Sequence, residues 1–169
     1  MMTGPSDAAI LERARSLCNQ ACLMVALQHR RVRTAEPEDE IFFFRRFADV
    51  QFLIIALRRV RRSAELAKRV PGVSEVLRNA ISEFDRTLPG LAKMRNVGEH
   101  IDIYAVDGRN RHHPDVVRGQ LQVGEWDGTT YPWLGESLNI DAALDAAKKL
   151  FEAVKQAATG SLRDKKNNR

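Results

Sequence analysis

The chain has 169 residues, 44% hydrophobic and 29% charged, with 27 Lys and Arg against 22 Asp and Glu for a net charge of +5. Length and balance describe one globular domain with its own core and exclude an intrinsically disordered chain. No stretch of about 18 uncharged apolar residues is present to cross a bilayer, and the first residues lack the basic and apolar regions of a secretory leader, so a cytoplasmic protein without membrane association is expected.

In chain order, residues 7 to about 32 place Ile10, Leu11, Ala14, Leu17, Cys18, Ala21, Cys22, Val25 and Leu27 at three- and four-residue intervals, which predicts an amphipathic helix with Ser6 as its N-cap. Cys18 and Cys22 have no zinc-site spacing and read as buried, reduced, inert side chains. Thr34 to Glu40 brings a proline and four acids, suited to a turn and a helix N-terminus. A second helix is expected from Pro37 to Arg69, with Phe43, Phe47, Val50, Ile54, Leu57, Val60, Ala64 and Ala67 inward. Its other face carries Arg45, Arg46, Arg58, Arg59, Arg61 and Arg62. That face reads either as a solvated surface or as a stripe whose guanidinium forks meet phosphates.

Val70-Pro71-Gly72 is a break, and Ser74 is expected to cap a third helix built on Val76, Leu77, Ala80, Ile81 and Phe84. Pro89-Gly90 is expected to kink or interrupt that helix, and a further helical stretch opening at Thr87 or Leu88 to run to about Ala105, with Leu91, Met94, Val97, Ile101 and Ala105 as its apolar stripe. Periodicity then fails. Asp127-Gly128 predicts a two-residue hairpin turn that sets Trp126, Tyr131 and Trp133 on one strand face, able to stack bases or to pack on the helices. Asn139 or Asp141 is expected to cap the last helix and Gly160 to end it. The fold class is therefore all-α, a four- to five-helix up-and-down bundle with a small β-hairpin inserted before the last helix. Residues 1–160 form the domain, and 161–169 a basic disordered tail.

Chemistry concentrates in Met94-Arg95-Asn96-Val97-Gly98-Glu99-His100-Ile101-Asp102-Ile103-Tyr104. On a continuous helix, Arg95 would neighbour Glu99, and Asn96 would neighbour His100, itself beside Tyr104. One interpretation is an exposed Arg95–Glu99 pair and a surface histidine. The other notes that Ala92 and Ile103 share the side of Asn96 and His100, as if a partner subunit covered it. Gly98 costs about 1 kcal/mol in a helix unless another backbone approaches closely, which would fit a dimer axis. The basic loop supplies Arg109, Arg111, His112 and His113, either solvated or phosphate-binding. No metal or cofactor is expected: the histidines lack chelating spacing, and there is no glycine-rich phosphate loop, Gly-x-Ser-x-Gly elbow or His-Glu-x-x-His helix.

Arg95-Asn96 followed by His100, late in a helical bundle and before a final helix, resembles the R-x4-6-H motif of the HEPN superfamily, in which a polar residue often follows the arginine. The resemblance implies a homodimer with its motif helices near the two-fold axis and, in catalytic members, metal-independent RNA cleavage. In that scheme the ribose 2′-hydroxyl attacks the adjacent phosphate, His100 serves as general acid and base, Arg95 stabilises the phosphorane, and Asn96 orients His100 or the phosphate. Glu99, Tyr104, Arg109, Arg111, His113, Arg58 and Arg62 are the accompanying substrate contacts. The expected function is an endoribonuclease acting as a toxin or defence component, with a cognate antitoxin as partner. The alternatives are a non-catalytic RNA- or protein-binding dimer and the helical partner of a nucleotidyltransferase.

Overall fold

The computed structural model describes residues 4–35, 44–106, 111–122 and 125–167, with side chains to 160. Among them are six α-helices, α1 (Asp7–Arg33), α2 (Arg45–Ala67), α3 (Ser74–Thr87), α4 (Leu91–Glu99), α5 (Ile101–Ala105) and α6 (Ile140–Asn167), and a hairpin of β1 (Thr130–Trp133) and β2 (Glu136–Asn139) directly before α6. The helical bundle with an inserted hairpin is as expected.

The α1 N-terminus follows the sequence: Ser6 Oγ accepts from the Ala9 N–H at 3.3 Å. Helix α2 has Val50, Leu53, Ile54, Ala56, Leu57, Val60, Ala64 and Ala67 buried, a single broad face. So broad an apolar face can pack on several neighbours at once, and α2 contacts α1, α3, α4 and α6. It runs antiparallel to α1, since Arg31 near the end of α1 pairs with Asp49 near the start of α2 at 2.7 Å, while Cys18 lies against the Val60 carbonyl. The expected start of α2 at Pro37, and inward-facing Phe43, lie outside the described residues.

Four expectations need correction. Ser74 is the first residue of α3, not its cap, because a 3-10 turn over Pro71–Val73 leads straight into the helix and no side chain caps it. The helix expected to reach Ala105 begins only at Leu91 and breaks at His100, whose φ of −121° and ψ of 36° leave the helical region. Ile101, assigned to the core stripe, is consequently 43% exposed, and Tyr104 takes its place at 1%. The hairpin turns at Leu134-Gly135, not at Asp127-Gly128. Both turn residues have positive φ, 58° and 75°, as a type I′ turn requires. Asp127 instead accepts the N–H groups of Thr129 and Thr130 at 2.8 and 2.5 Å, a local turn that leads into β1. Finally, α6 is capped by Asn139, whose Oδ1 accepts from the Ala142 N–H at 2.8 Å, and it continues through Gly160 to Asn167 into the tail expected to be disordered.

The register Thr130↔Asn139, Tyr131↔Leu138, Pro132↔Ser137 and Trp133↔Glu136 points Tyr131 and Trp133 to one face. Both pack on Phe47 of α2, with ring centroids 6.3 and 5.8 Å apart, while Trp126 lies beneath the Arg46 guanidinium. All three aromatics thus meet the start of α2, so the insertion is seated on the bundle and is not a free platform.

Candidate functional site

The motif helix α4 packs on α2, and the hairpin closes its flank. A methyl group at Gly90 would come within 2.6 Å of Glu136 Cβ, so only glycine lets the hairpin approach so closely. Lys93, two turns before His100, reaches Asp115 at 2.7 Å and Glu136 at 3.7 Å and ties both loop and hairpin to α4.

Arg95 is ion-paired with Glu99 one turn on, its side chain 23% exposed. Asn96 does not meet the His100 ring. Its carbonyl accepts the His100 backbone N–H at 3.2 Å, and its amide donates to the Tyr104 hydroxyl at 3.4 Å. His100 is exposed at the joint between α4 and α5. The break at His100 therefore replaces the expected Asn96–His100–Tyr104 side-chain row with a backbone contact and a buried tyrosine.

Tyr104 is a structural post. Its hydroxyl also accepts the His113 N–H at 3.2 Å, and Arg111 spans its ring while donating to the carbonyls of Tyr104, Val106 and Val116 at 3.3, 2.6 and 3.2 Å. Three carbonyls converging on one guanidinium hold the loop against α5. Arg111 and Tyr104, expected as substrate contacts, are thus engaged inside the protein. His113 is half-buried with its ring edge-on to His112, 4.7 Å between centroids. Burial, then the neighbouring His112, lower its pKa and favour the neutral ring. Arg109 lies outside the described residues.

The arginines of α2 divide into two sets. Arg45, Arg46 and Arg61 are committed to internal partners: Arg45 to Asp49 and the Arg31 and Thr34 carbonyls, Arg46 to the Val32 carbonyl, and Arg61 to both oxygens of Asp85 at 2.6 and 2.7 Å. Arg58 differs. Its Nε is buried without a hydrogen-bond partner among the described residues, and burial followed by repulsion from Arg61, Arg62 and Arg95 lowers its pKa. Arg58 is thus within electrostatic reach of Arg61, Arg62 and Arg95, with Asp85 opposing them, so residues from the two expected groups of site residues act on one another.

Beside that cluster is a recess of about 180 Å³ lined by Phe47, Gln51, Ile54, Ile55, Arg95, Gly98, Glu99, Ile101 and Trp133. Gly98 meets a close approach from within the chain: a Cβ there would lie 2.8 Å from Gln51 Oε1 and 3.5 Å from the Trp133 ring. Sequence reasoning missed Gln51 and the role of Trp133, although a glycine within a helical motif was the signal that something approaches.

Among the described residues no group of three or more His, Cys, Asp or Glu side chains is placed to hold a metal ion. No helix among them is long and apolar enough to cross a membrane. No protein-family model, curated protein or solved structure matches the chain.

Proposed function

We propose that the protein is a HEPN-like, metal-independent endoribonuclease acting as a homodimer. The observation that carries this reading is the Arg58–Arg62–Arg95 field, in which one guanidinium nitrogen is buried and unpaired and neighbouring like charges repel. A phosphate relieves that repulsion, since guanidinium forks match phosphate oxygens. Exposed His100 stands one residue beyond α4, where an imidazole can take a proton from a 2′-hydroxyl and return one to the leaving oxygen. Arg95 is the charge-stabilising residue of this scheme, and Asn96 is a positioning residue, holding the joint through its carbonyl and its amide.

The test is digestion of a defined RNA in excess EDTA by wild type and by His100→Ala, with the product ends identified. The scheme expects 2′,3′-cyclic phosphate ends from wild type and a loss of roughly 10²–10⁴-fold in the variant. Equal cleavage by both proteins, or intact RNA with both, overturns it. One observation favours a second reading, an RNA-binding dimer without turnover: the Arg95 guanidinium already has Glu99 as its counter-ion. Under that reading Glu99→Gln tightens RNA binding by freeing Arg95, and neither protein yields cyclic phosphate.

A further inference from the structure

Helices α1 and α2 leave a trough on the outside of the bundle, a groove of about 310 Å³. Leu17 and Met24 of α1 and Arg59 and Leu66 of α2 line it, with the small, buried Ala21 and Ser63 beneath. Ser63 donates its hydroxyl to the Arg59 carbonyl at 2.8 Å, so the groove is apolar at its base. The apolar surface continues past the groove. Leu27 and Phe52 are 50% and 57% exposed, and the antiparallel pairing that sets Arg31 against Asp49 and Cys18 against Val60 brings them to one level. From Leu17 to Leu27 the strip runs about 15 Å, nearly three helical turns. A continuous exposed apolar strip of this kind marks a docking surface.

The charges around it have one sign. The groove lining includes Arg59 and Arg62 and no acid. Arg59 reaches across toward α1, its Nη1 3.7 Å from the Met24 sulfur, and among the described residues neither arginine has an ion pair. The acids of the two helices are engaged elsewhere: Glu12 with Arg15, Asp49 with Arg31 and Arg45, and Glu65 with Arg61 and Lys68, while Asp7 is in the first turn of α1, far from Leu17. A partner must therefore bring both apolar side chains and carboxylates.

That requirement separates the occupants. An RNA strand would meet the arginines with phosphates but leave Leu17, Met24, Leu27 and Leu66 without contacts suited to them, Phe52 being the one ring on the strip able to stack a base. A second copy, packing this same face on itself as two-fold symmetry requires, would bring no carboxylate to Arg59 or Arg62, because the face has none. A helix with leucine-like residues at three- and four-residue intervals and acids along its flank meets both needs, and a groove between two packed helices is a natural seat for a third. We propose that the α1–α2 trough is the docking site for an acidic amphipathic helix of a second protein, with Met24, Leu27 and Phe52 receiving its apolar side chains and Arg59 and Arg62 its carboxylates. Of the residues in the ribonuclease scheme only Arg62 borders the trough, so helix docking does not depend on that scheme.

The test titrates the protein with a synthetic helical peptide of about 18 residues, leucines at three- and four-residue intervals and glutamates on both flanks. The comparison ligands are the same peptide with lysine at every glutamate and a uridine homopolymer RNA. Methionine methyl resonances report the outcome, Met24 in the trough and fully buried Met94 as the reference, with the Met24 signal assigned by Met24→Leu. The Met24 signal is expected to move saturably with the glutamate peptide while Met94 stays. Arg59→Glu weakens that peptide about tenfold and lets the lysine peptide bind. Phe52→Ser and Leu27→Ser, at exposed positions where the core is untouched, weaken it as well. An unmoved Met24 signal, or equal binding of the two peptides, overturns the proposal. So does a Met24 signal that moves with the RNA and not with the peptide, which makes the trough a nucleic-acid face, or one that shifts on dilution of the free protein and ignores the peptide, which makes it a contact between copies.

Discussion

Asp49 is buried, yet it carries a charge between two guanidiniums, Arg31 at 2.7 Å and Arg45 at 3.1 Å. Removing the acid takes from Arg45, whose side chain is only 10% exposed, the carboxylate 3.1 Å away. Asp49→Ala is therefore expected to lower stability by about 3 kcal/mol, measured by denaturant unfolding, whereas Glu12→Ala, at an exposed pair with Arg15, should stay within about 0.5 kcal/mol. The contrast shows why the arginine-rich face of α2 could not be divided by inspection. Arg45, Arg58 and Arg61 have the same chemistry; Asp49 lies one turn beyond Arg45 on the same helix, but only the fold brings Asp85 to Arg61 and leaves Arg58 with no such acid. Cys18, in contrast, was legible: a hydrogen bond with Cys22 together with burial pushes its thiol up, so it should resist thiol reagents until the protein unfolds, whereas Cys22, expected to be equally buried and inert, is half-buried and the same hydrogen bond lowers its thiol.

Elements were most readable where one strong pattern acted alone, as in α1 and the cap of α6. They were least readable where two chain segments had to meet. The break at His100 follows no proline and no cap, yet it turns Tyr104 under the loop that Arg111 clamps. The hairpin turn went to Leu134-Gly135 over the more typical Asp127-Gly128 because that register buries Tyr131, Trp133 and Leu138 together. Its seat on α4 depends on Gly90, so Gly90→Ala, with Glu136 Cβ in the way, should cost about 1–3 kcal/mol and loosen the hairpin before the bundle. Thermal melts, together with Trp133 fluorescence in a Trp126→Phe background, would register both effects; an unchanged melting point would show that the hairpin can shift at no cost.

Across the molecule, two carboxylates fasten one segment to another and a third fastens a local turn. His29 and then Arg33 hold Asp141 below its ordinary 3.8, joining α1 to α6; Lys93 does so for Asp115; and the backbone N–H groups of Thr130 and Thr129 do so for Asp127. An acid with a folded pKa below its unfolded value contributes stability above the unfolded value and loses it as pH falls through the folded one. Stability should therefore decline as pH drops below about 4, and Asp141→Asn should shrink that decline without changing its direction. A pH series of denaturant melts on both proteins measures the difference, and identical slopes would remove Asp141 from the account.

Among the described residues neither strand of the hairpin has a second strand partner, and Pro132 sits exposed in β1. In a hairpin closed by a two-residue turn, Trp133 and Glu136 exchange hydrogen bonds, so the next pair, Pro132 and Ser137, directs its backbone nitrogens outward. At that point of the rim there is no N–H for a stray strand to engage. Pro132 thus guards solubility: restoring the donor with Pro132→Val should leave the fold intact while promoting strand-to-strand aggregation at high concentration.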